Sequence, residues 1–342
     1  MAKKYKILVL AGGISEERQV SLTSAKSIVE SLQRSGHEYA VIDTADGTSL
    51  LDANGRYLLH TDEKSESKLA LKGVSTTAIM KSIGSSDFRG YDLVLIALHG
   101  GAGENGSLQA LLDMAGWNYT GSGMLASAVC MNKALTKELV RANKIPTADW
   151  KLLKIRDDAS IEKYIDPIKQ EFTLPLIIKP NSSGSTVGLT LVKNWDQLAD
   201  ALSLASEVGP DVLVEKYVKG REITAAVLNG RALPLVEIVP TNELYDYQCK
   251  YTKGKSNYIC PAPIDKDLTP VIQAMAERAY KTIGCSGLAR VDFILGEGNQ
   301  PVFLEVNTLP GMTALSLAPM AAKEAGISFD ELINEICEAA LV

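Results

Sequence analysis

The chain has 342 residues, 46% apolar and 22% charged, with a formal net charge of −6. That length supports a sizeable core and exceeds one ordinary domain, so two or three domains are expected. The acidic balance argues against a nucleic-acid partner, and no apolar run approaches the roughly 20 residues needed to span a bilayer.

The opening MAKKYKILVLAGG is read as a first strand, Tyr5–Leu10, because its apolar stretch is too short for a signal peptide and Gly-Gly and acidic residues follow. A helix over Val20–Gln33 and a strand over Tyr39–Asp43 come next. Ala45–Asp87 is polar and poorly periodic, and is expected to be a surface insertion. Asp92–Leu98 reads as a strand, Ser107–Ala115 and Ala126–Asn143 as helices, and Ile145-Pro146 as a break. The first domain boundary is placed near Met131. A second unit follows with strand Asp149–Ile155, helix Ile161–Glu171 and strands Leu174–Lys179 and Val212–Val218. The third holds strands Ile223–Leu228 and Leu233–Ile238, a long Tyr- and Lys-rich loop (Thr241–Pro263), helix Leu268–Ile283, strands Gly287–Leu295 and Pro301–Val306, and two closing helices. This alternation is that of α/β domains. The five scattered cysteines fit reduced thiols in a cytoplasmic protein.

Side chains alternate faces along a strand. Arg290 and Asp292 therefore share one face of GLARVDFIL, and Phe303, Glu305 and Asn307 share one face of PVFLEVN, with Val302, Leu304 and Val306 on the apolar side. Carboxylates and an amide presented together are hard oxygen ligands suited to Mg²⁺; an amphipathic sheet with a solvated Arg–Asp pair is the plain alternative. In LIIKPNSSGSTVG, Lys179 ends a strand before a Ser/Gly loop whose N–H groups could meet phosphate, although such loops are often mere connections. Two Gly-bearing strand ends, Gly12-Gly13 and His99-Gly100-Gly101, fall on the ligand edge of a parallel sheet. The long loop carrying Lys250 and Tyr251 has the length and composition of an active-site lid.

Taken in order, these segments resemble the D-alanine–D-alanine ligase branch of the ATP-grasp superfamily. The resemblance rests on GGxSxERxVS (Gly12–Ser21), ALHG (Ala97–Gly100), GExG (Gly103–Gly106), YTGSG (Tyr119–Gly123), KPxxxGS (Lys179–Ser185), Glu215-Lys216, YDYxxKY (Tyr245–Tyr251), RxD (Arg290–Asp292) and ExNTxPGMT (Glu305–Thr313). It implies an α/β, three-domain ATP-grasp architecture. An N-terminal open parallel-sheet domain (1–131) would precede two α+β domains, 132–221 and 222–342, that sandwich ATP, with a lid at 241–263. It also implies synthesis of D-alanyl-D-alanine through D-alanyl phosphate, with D-alanyl-D-lactate or D-alanyl-D-serine as the alternative products.

Carried over residue by residue, the resemblance gives Lys133, Lys179, Glu215, Lys216, Glu222 and Lys250 to ATP, with Tyr217, Val218, Ile294 and Phe303 around the adenine. Asp292, Glu305 and Asn307 would hold two Mg²⁺, with Mn²⁺ an acceptable substitute. Glu17, Ser185 and Tyr251 would form a linked triad, Glu17 meeting the first D-alanine's ammonium and His99 lying near its carboxylate. Arg290 and the Gly311 N–H would stabilise the tetrahedral intermediate, and Ser316 with the Leu317 N–H would take the second D-alanine's carboxylate. A homodimer is implied as well. Gln19, Asn105 and Thr186 depart from the family's usual Glu, Asp and Ser, which bears on local geometry only.

Overall fold

The computed structural model describes residues 3–58, 90–156, 161–241 and 256–341. In chain order the strands are β1 (Lys6–Ala11), β2 (Glu38–Asp43), β3 (Leu93–Ile96), β4 (Trp150–Lys154), β5 (Leu176–Pro180), β6 (Thr190–Val192), β7 (Asp211–Lys216), β8 (Arg221–Leu228), β9 (Arg231–Ala232), β10 (Val236–Pro240), β11 (Ser256–Ile259), β12 (Leu288–Leu295) and β13 (Pro301–Asn307). The helices are α1 (Arg18–Ser35), α2 (Gly101–Glu104), α3 (Ser107–Ala115), α4 (Met124–Met131), α5 (Lys133–Ala142), α6 (Glu162–Glu171), α7 (Leu198–Val208), α8 (Thr269–Ile283), α9 (Leu317–Glu324) and α10 (Phe329–Ala339).

Strands β2, β1 and β3 form a parallel sheet in that order. It is buried on both faces, which explains the continuous apolar run of its central strand. Ile7 and Val9 pack toward α1 together with Met312, Leu317, Ile333 and Ile336, while Leu8 and Leu10 pack with Leu108 and Leu112. Residues from far along the chain thus complete the core of the first sheet. Arg34 of α1 donates to both carboxylate oxygens of Asp330 of α10, at 2.9 and 2.7 Å, and His37 meets Asn334 at 2.8 Å. Part of the expected surface insertion is also core, since Leu50 is buried and Tyr57 donates to the Leu22 carbonyl.

The other two sheets are antiparallel: β4-β7-β5-β6, and β11-β10-β8-β12-β13 with β9 on β8. Two sequence expectations are corrected here. The helix expected over Ala126–Asn143 is two helices, because Asn132 takes an extended conformation and its side chain caps α5, accepting from the Leu135 N–H at 3.0 Å. Strict alternation along β13 fails at a β-bulge: Asp292 pairs with Glu305 but Phe293 pairs with Phe303, leaving Leu304 as the extra residue. Phe303 is therefore buried edge-on against Phe293, on the face opposite Glu305, though it still borders the cleft, and Val302 opposite Ile294 lines the cleft as well.

Candidate active site

A cleft of about 1060 Å³ lies between the two antiparallel sheets. One wall carries Lys179 at the end of β5 and Glu215 and Lys216 on β7, with Tyr217 and Val218 just beyond. The other carries Glu222, Arg290, Asp292, Ile294, Phe303 and Glu305 on β8, β12 and β13. Lys133, at the first turn of α5, reaches between them: its Nζ donates to the Ser183 carbonyl at 2.6 Å and stands 3.5 Å from Glu305. Asn181 clamps the start of the Ser/Gly loop to α5, accepting from the Ala134 N–H at 2.8 Å and donating to Asn132 at 2.9 Å.

Glu215 is buried between two ammonium groups, Lys179 and Lys137, each 2.5 Å away. Burial opposes its charge, but the two lysines hold its carboxyl below the usual range. On the facing sheet, the register sets Asp292 beside Glu305 and Arg290 beside Asn307. Asp292 accepts from Thr224 Oγ1 at 2.6 Å and from Arg290 Nε and Nη2 at 2.9 and 2.7 Å, and Asn307 Oδ1 accepts from the Leu309 N–H at 2.9 Å. Among the described residues no three His, Cys, Asp or Glu side chains gather as a metal cage. Two carboxylates and an amide on one sheet face fit a hard divalent ion that takes its remaining ligands from phosphate and water.

At the mouth of the cleft, Ser185 donates to Glu17 Oε1. Ser185 and Thr186 both have positive φ (49° and 65°), a strained backbone that places the hydroxyl on the carboxylate. Gly100, at φ 67°, passes so close that a Cβ there would lie 2.7 Å from Glu17 Oε2. The Gly12-Gly13 turn is held from behind by Arg18, which donates to Asp43 at 2.9 and 2.5 Å and to the Gly13 carbonyl at 2.9 Å. Ser15 does not cap α1; its hydroxyl donates to the His99 carbonyl.

His99 is buried behind Glu17. Ser24 Oγ accepts from the Met312 N–H at 3.2 Å and is hydrogen-bonded to His99 Nε2 at 3.1 Å. Burial pushes the imidazole's pKa down, so it stays neutral. Glu104 Oε1 stands 3.9 Å from Nδ1, and burial, reinforced by the charge of Glu17, pushes its carboxyl up to about 8. Glu104 was visible in sequence only as one letter of a motif; its protonation follows from tertiary burial. Beyond Met312, Ser316 precedes α9 and accepts from the Thr313 N–H at 3.1 Å, with Gly311 packed so tightly that a Cβ would come within 3.0 Å of its oxygen. Leu317 is the first residue of that helix and is buried. Lys250 and Tyr251 lie outside the described residues. Glu17, Ser185, His99, Arg290 and the Gly311–Leu317 segment are thus brought to one end of a cleft whose body carries the lysines and carboxylates. Sequence reasoning missed Lys137, Thr224 and Ser24, whose partners are distant in sequence.

The models of the D-ala D-ala ligase N-terminus and C-terminus match residues 6–122 and 139–338. The D-alanine–D-alanine ligase of Nitrosomonas europaea is 42% identical over 333 residues, covering 97% of this chain and 96% of that one; the Geobacter sulfurreducens enzyme is 38% identical over 335 residues, covering 98% and 93%. Among solved structures, the D-alanine–D-alanine ligase of Coxiella burnetii superposes with a TM-score of 0.80 at 30% identity (99% and 94% covered). The Bacillus anthracis ligase complexed with ATP gives 0.73 at 30% identity (98% and 97%), and the VanG D-Ala:D-Ser ligase of Enterococcus faecalis gives 0.78 at 30% (99% and 100%). The mixed α/β sheets are those of the ATP-grasp architecture, and the chain belongs to the D-alanine–D-alanine ligase family.

Proposed function

We propose that the cleft binds ATP and ligates two D-alanines through D-alanyl phosphate. The observation that carries this reading is the Ser185–Glu17 hydrogen bond, which joins the loop after Lys179 to a carboxylate at the start of α1, beyond the end of β1. Lys133, Lys179, Glu215, Lys216, Glu222 and Lys250 hold the nucleotide, with Tyr217, Val218, Ile294 and the buried Phe303 about the adenine. Asp292, Glu305 and Asn307 would hold two Mg²⁺, which would supply positive charge that lowers the repulsion met by an approaching carboxylate.

Glu17 takes the first D-alanine's ammonium, and neutral His99 stands by its carboxylate without adding charge. Lys133 and Lys179 offset the negative charge that grows as this carboxylate attacks the γ-phosphate. Ser316 and the Leu317 N–H, at the start of α9, orient the second D-alanine by its carboxylate so that its amine faces the acyl phosphate. Arg290 and the Gly311 N–H meet the oxyanion. Tyr251 completes the triad with Glu17 and Ser185 and closes the lid against water. The working units are 1–131, 132–221 and 222–342, in a cytoplasmic homodimer; no helix among the described residues is long and apolar enough to cross a membrane.

A D-serine-accepting relative superposes over the whole chain, so the second substrate needs direct identification. Phosphate release is to be measured with ATP and Mg²⁺ plus D-alanine, L-alanine, D-serine, D-lactate or no addition, with products weighed by mass spectrometry. D-Alanine-dependent release with D-alanyl-D-alanine as the main product is expected. Equal release with L-alanine, or no dipeptide, would refute the reading.

A further inference from the structure

Helix α5 places two lysines one turn apart on the same face, and they end in different surroundings. Lys133 enters the nucleotide cleft. Lys137 does not line it: its side chain is 1% exposed and lies behind the wall. Its Nζ donates to Glu215 Oε1 at 2.5 Å and to Thr147 Oγ1 at 2.6 Å, and sits 5.1 Å from the centroid of the Trp150 ring. The other oxygen of Glu215 faces Lys179, which does line the cleft. Thr147 in turn donates to the Phe303 carbonyl at 3.0 Å, so the cluster also reaches β13.

A fully buried ammonium is costly, and its retention here calls for a reason beyond packing. One carboxylate with two ammonium groups sums to +1. With Lys137 absent, Glu215 and Lys179 would form a neutral pair, and Lys179 would be drawn wholly onto Glu215. We propose that Lys137 is a positioning residue for nucleotide binding: by occupying one oxygen of Glu215, it keeps the Lys137–Glu215–Lys179 cluster net positive toward the phosphate groups of ATP. This rests on the reading of the cleft as an ATP site.

The cluster should show itself in pH dependence. Facing Lys137 are Glu215 from β7 and Lys179 from β5. Arg141 comes from its own helix, lying over Trp150 and bonded to Asp149. Burial pushes the Lys137 ammonium down to about 8, with Lys179 and Arg141 acting in the same direction and Glu215 against it. Above that pH Lys137 loses its proton, the cluster falls to net zero, and anion binding weakens.

The test is the affinity for ADP with Mg²⁺, by calorimetry from pH 6.5 to 9, for the full-length wild-type chain, Lys137→Met, Glu215→Gln and the double variant, together with kcat and KM for ATP. At pH 7, Lys137→Met is expected to weaken ADP about tenfold or more and to raise KM for ATP alike, with kcat changed far less. Wild-type affinity should fall above pH 8, and that alkaline limb should vanish in Lys137→Met. In the Glu215→Gln background, Lys137→Met should cost little more. Wild-type-like ADP affinity in Lys137→Met, or an equal cost in both backgrounds, would overturn the proposal. Should Lys137→Met not fold, the wild-type profile decides alone: a flat affinity through pH 8 overturns it. A wild-type protein that binds no ADP would overturn both this proposal and the ATP reading, whereas ADP binding without the Lys137 pattern overturns this proposal alone.

Discussion

Replacing Glu104 with glutamine removes a carboxyl that the fold keeps protonated near neutral pH. Its side chain is 12% exposed, beside His99 and within the field of Glu17, and its pKa lies near 8 against 4.5 in an open chain. The folded protein therefore holds a proton that the unfolded chain releases at 4.5. Stability is greatest below that value and is lost as the pH rises from 4.5 to about 8. At 1.36 kcal/mol per pH unit, the full gap corresponds to about 5 kcal/mol. Relaxation and water entry reduce it, so Glu104→Gln is expected to gain roughly 2–4 kcal/mol over the wild type at pH 8.5 and much less at pH 5.5. Urea unfolding of the ligand-free proteins across that range gives the difference directly. Glutamine resembles the protonated carboxyl, so turnover at pH 7 should change little. Above pH 8, KM for D-alanine should rise in the wild type alone, because ionised Glu104 repels the substrate carboxylate. A stability difference that stays flat with pH, or a less stable variant at pH 8.5, would refute the reasoning.

Glu305→Gln should abolish turnover and the Mg²⁺-dependent rise in melting temperature with ADP, while shifting ligand-free stability by no more than about 0.5 kcal/mol. A ligand-free loss of several kcal/mol, measured by the same unfolding, would instead tie Glu305 to the fold. Ser185→Ala removes a hydrogen bond to an ionised partner, worth about 1.5–3 kcal/mol, and should raise KM for D-alanine roughly tenfold or more with ADP affinity unchanged. An equal loss of ADP affinity would assign Ser185 to the nucleotide loop alone.

Period-two alternation was enough to put Arg290 and Asp292 on one face and Glu305 with Asn307 on another, and their pairing in register follows from the hairpin-like succession of β12 and β13. It could not foresee the bulge at Leu304, since an extra residue leaves no mark in the polarity of the sequence; Phe303 and Val302 were misassigned for that reason. The split between α4 and α5 was foreshadowed only by Asn132, a good cap that is unremarkable inside a helix-like run. Glycines and the charged ends of strands marked the candidate site because ligand approach restricts the backbone locally. Glu104, Lys137 and Ser24 stayed hidden because their character comes from what the fold packs around them.

The shared core of the first sheet carries a consequence for how the chain is made. Arg34 and Asp330 are separated by 296 positions, and the Met312 N–H bonds Ser24 across 288. Strands β1–β3 and helix α1 leave the ribosome well before Met312, Leu317, Ile333 and Ile336, so the part of the apolar cluster that those residues complete stays open until they follow. Such long closures are slow, and a waiting apolar face is exposed to misassociation. Synthesis of this protein therefore leaves an earlier-made unit dependent on later-made helices, and a ribosome stalled before residue 312 would release a sheet and helix α1 whose shared core is incomplete.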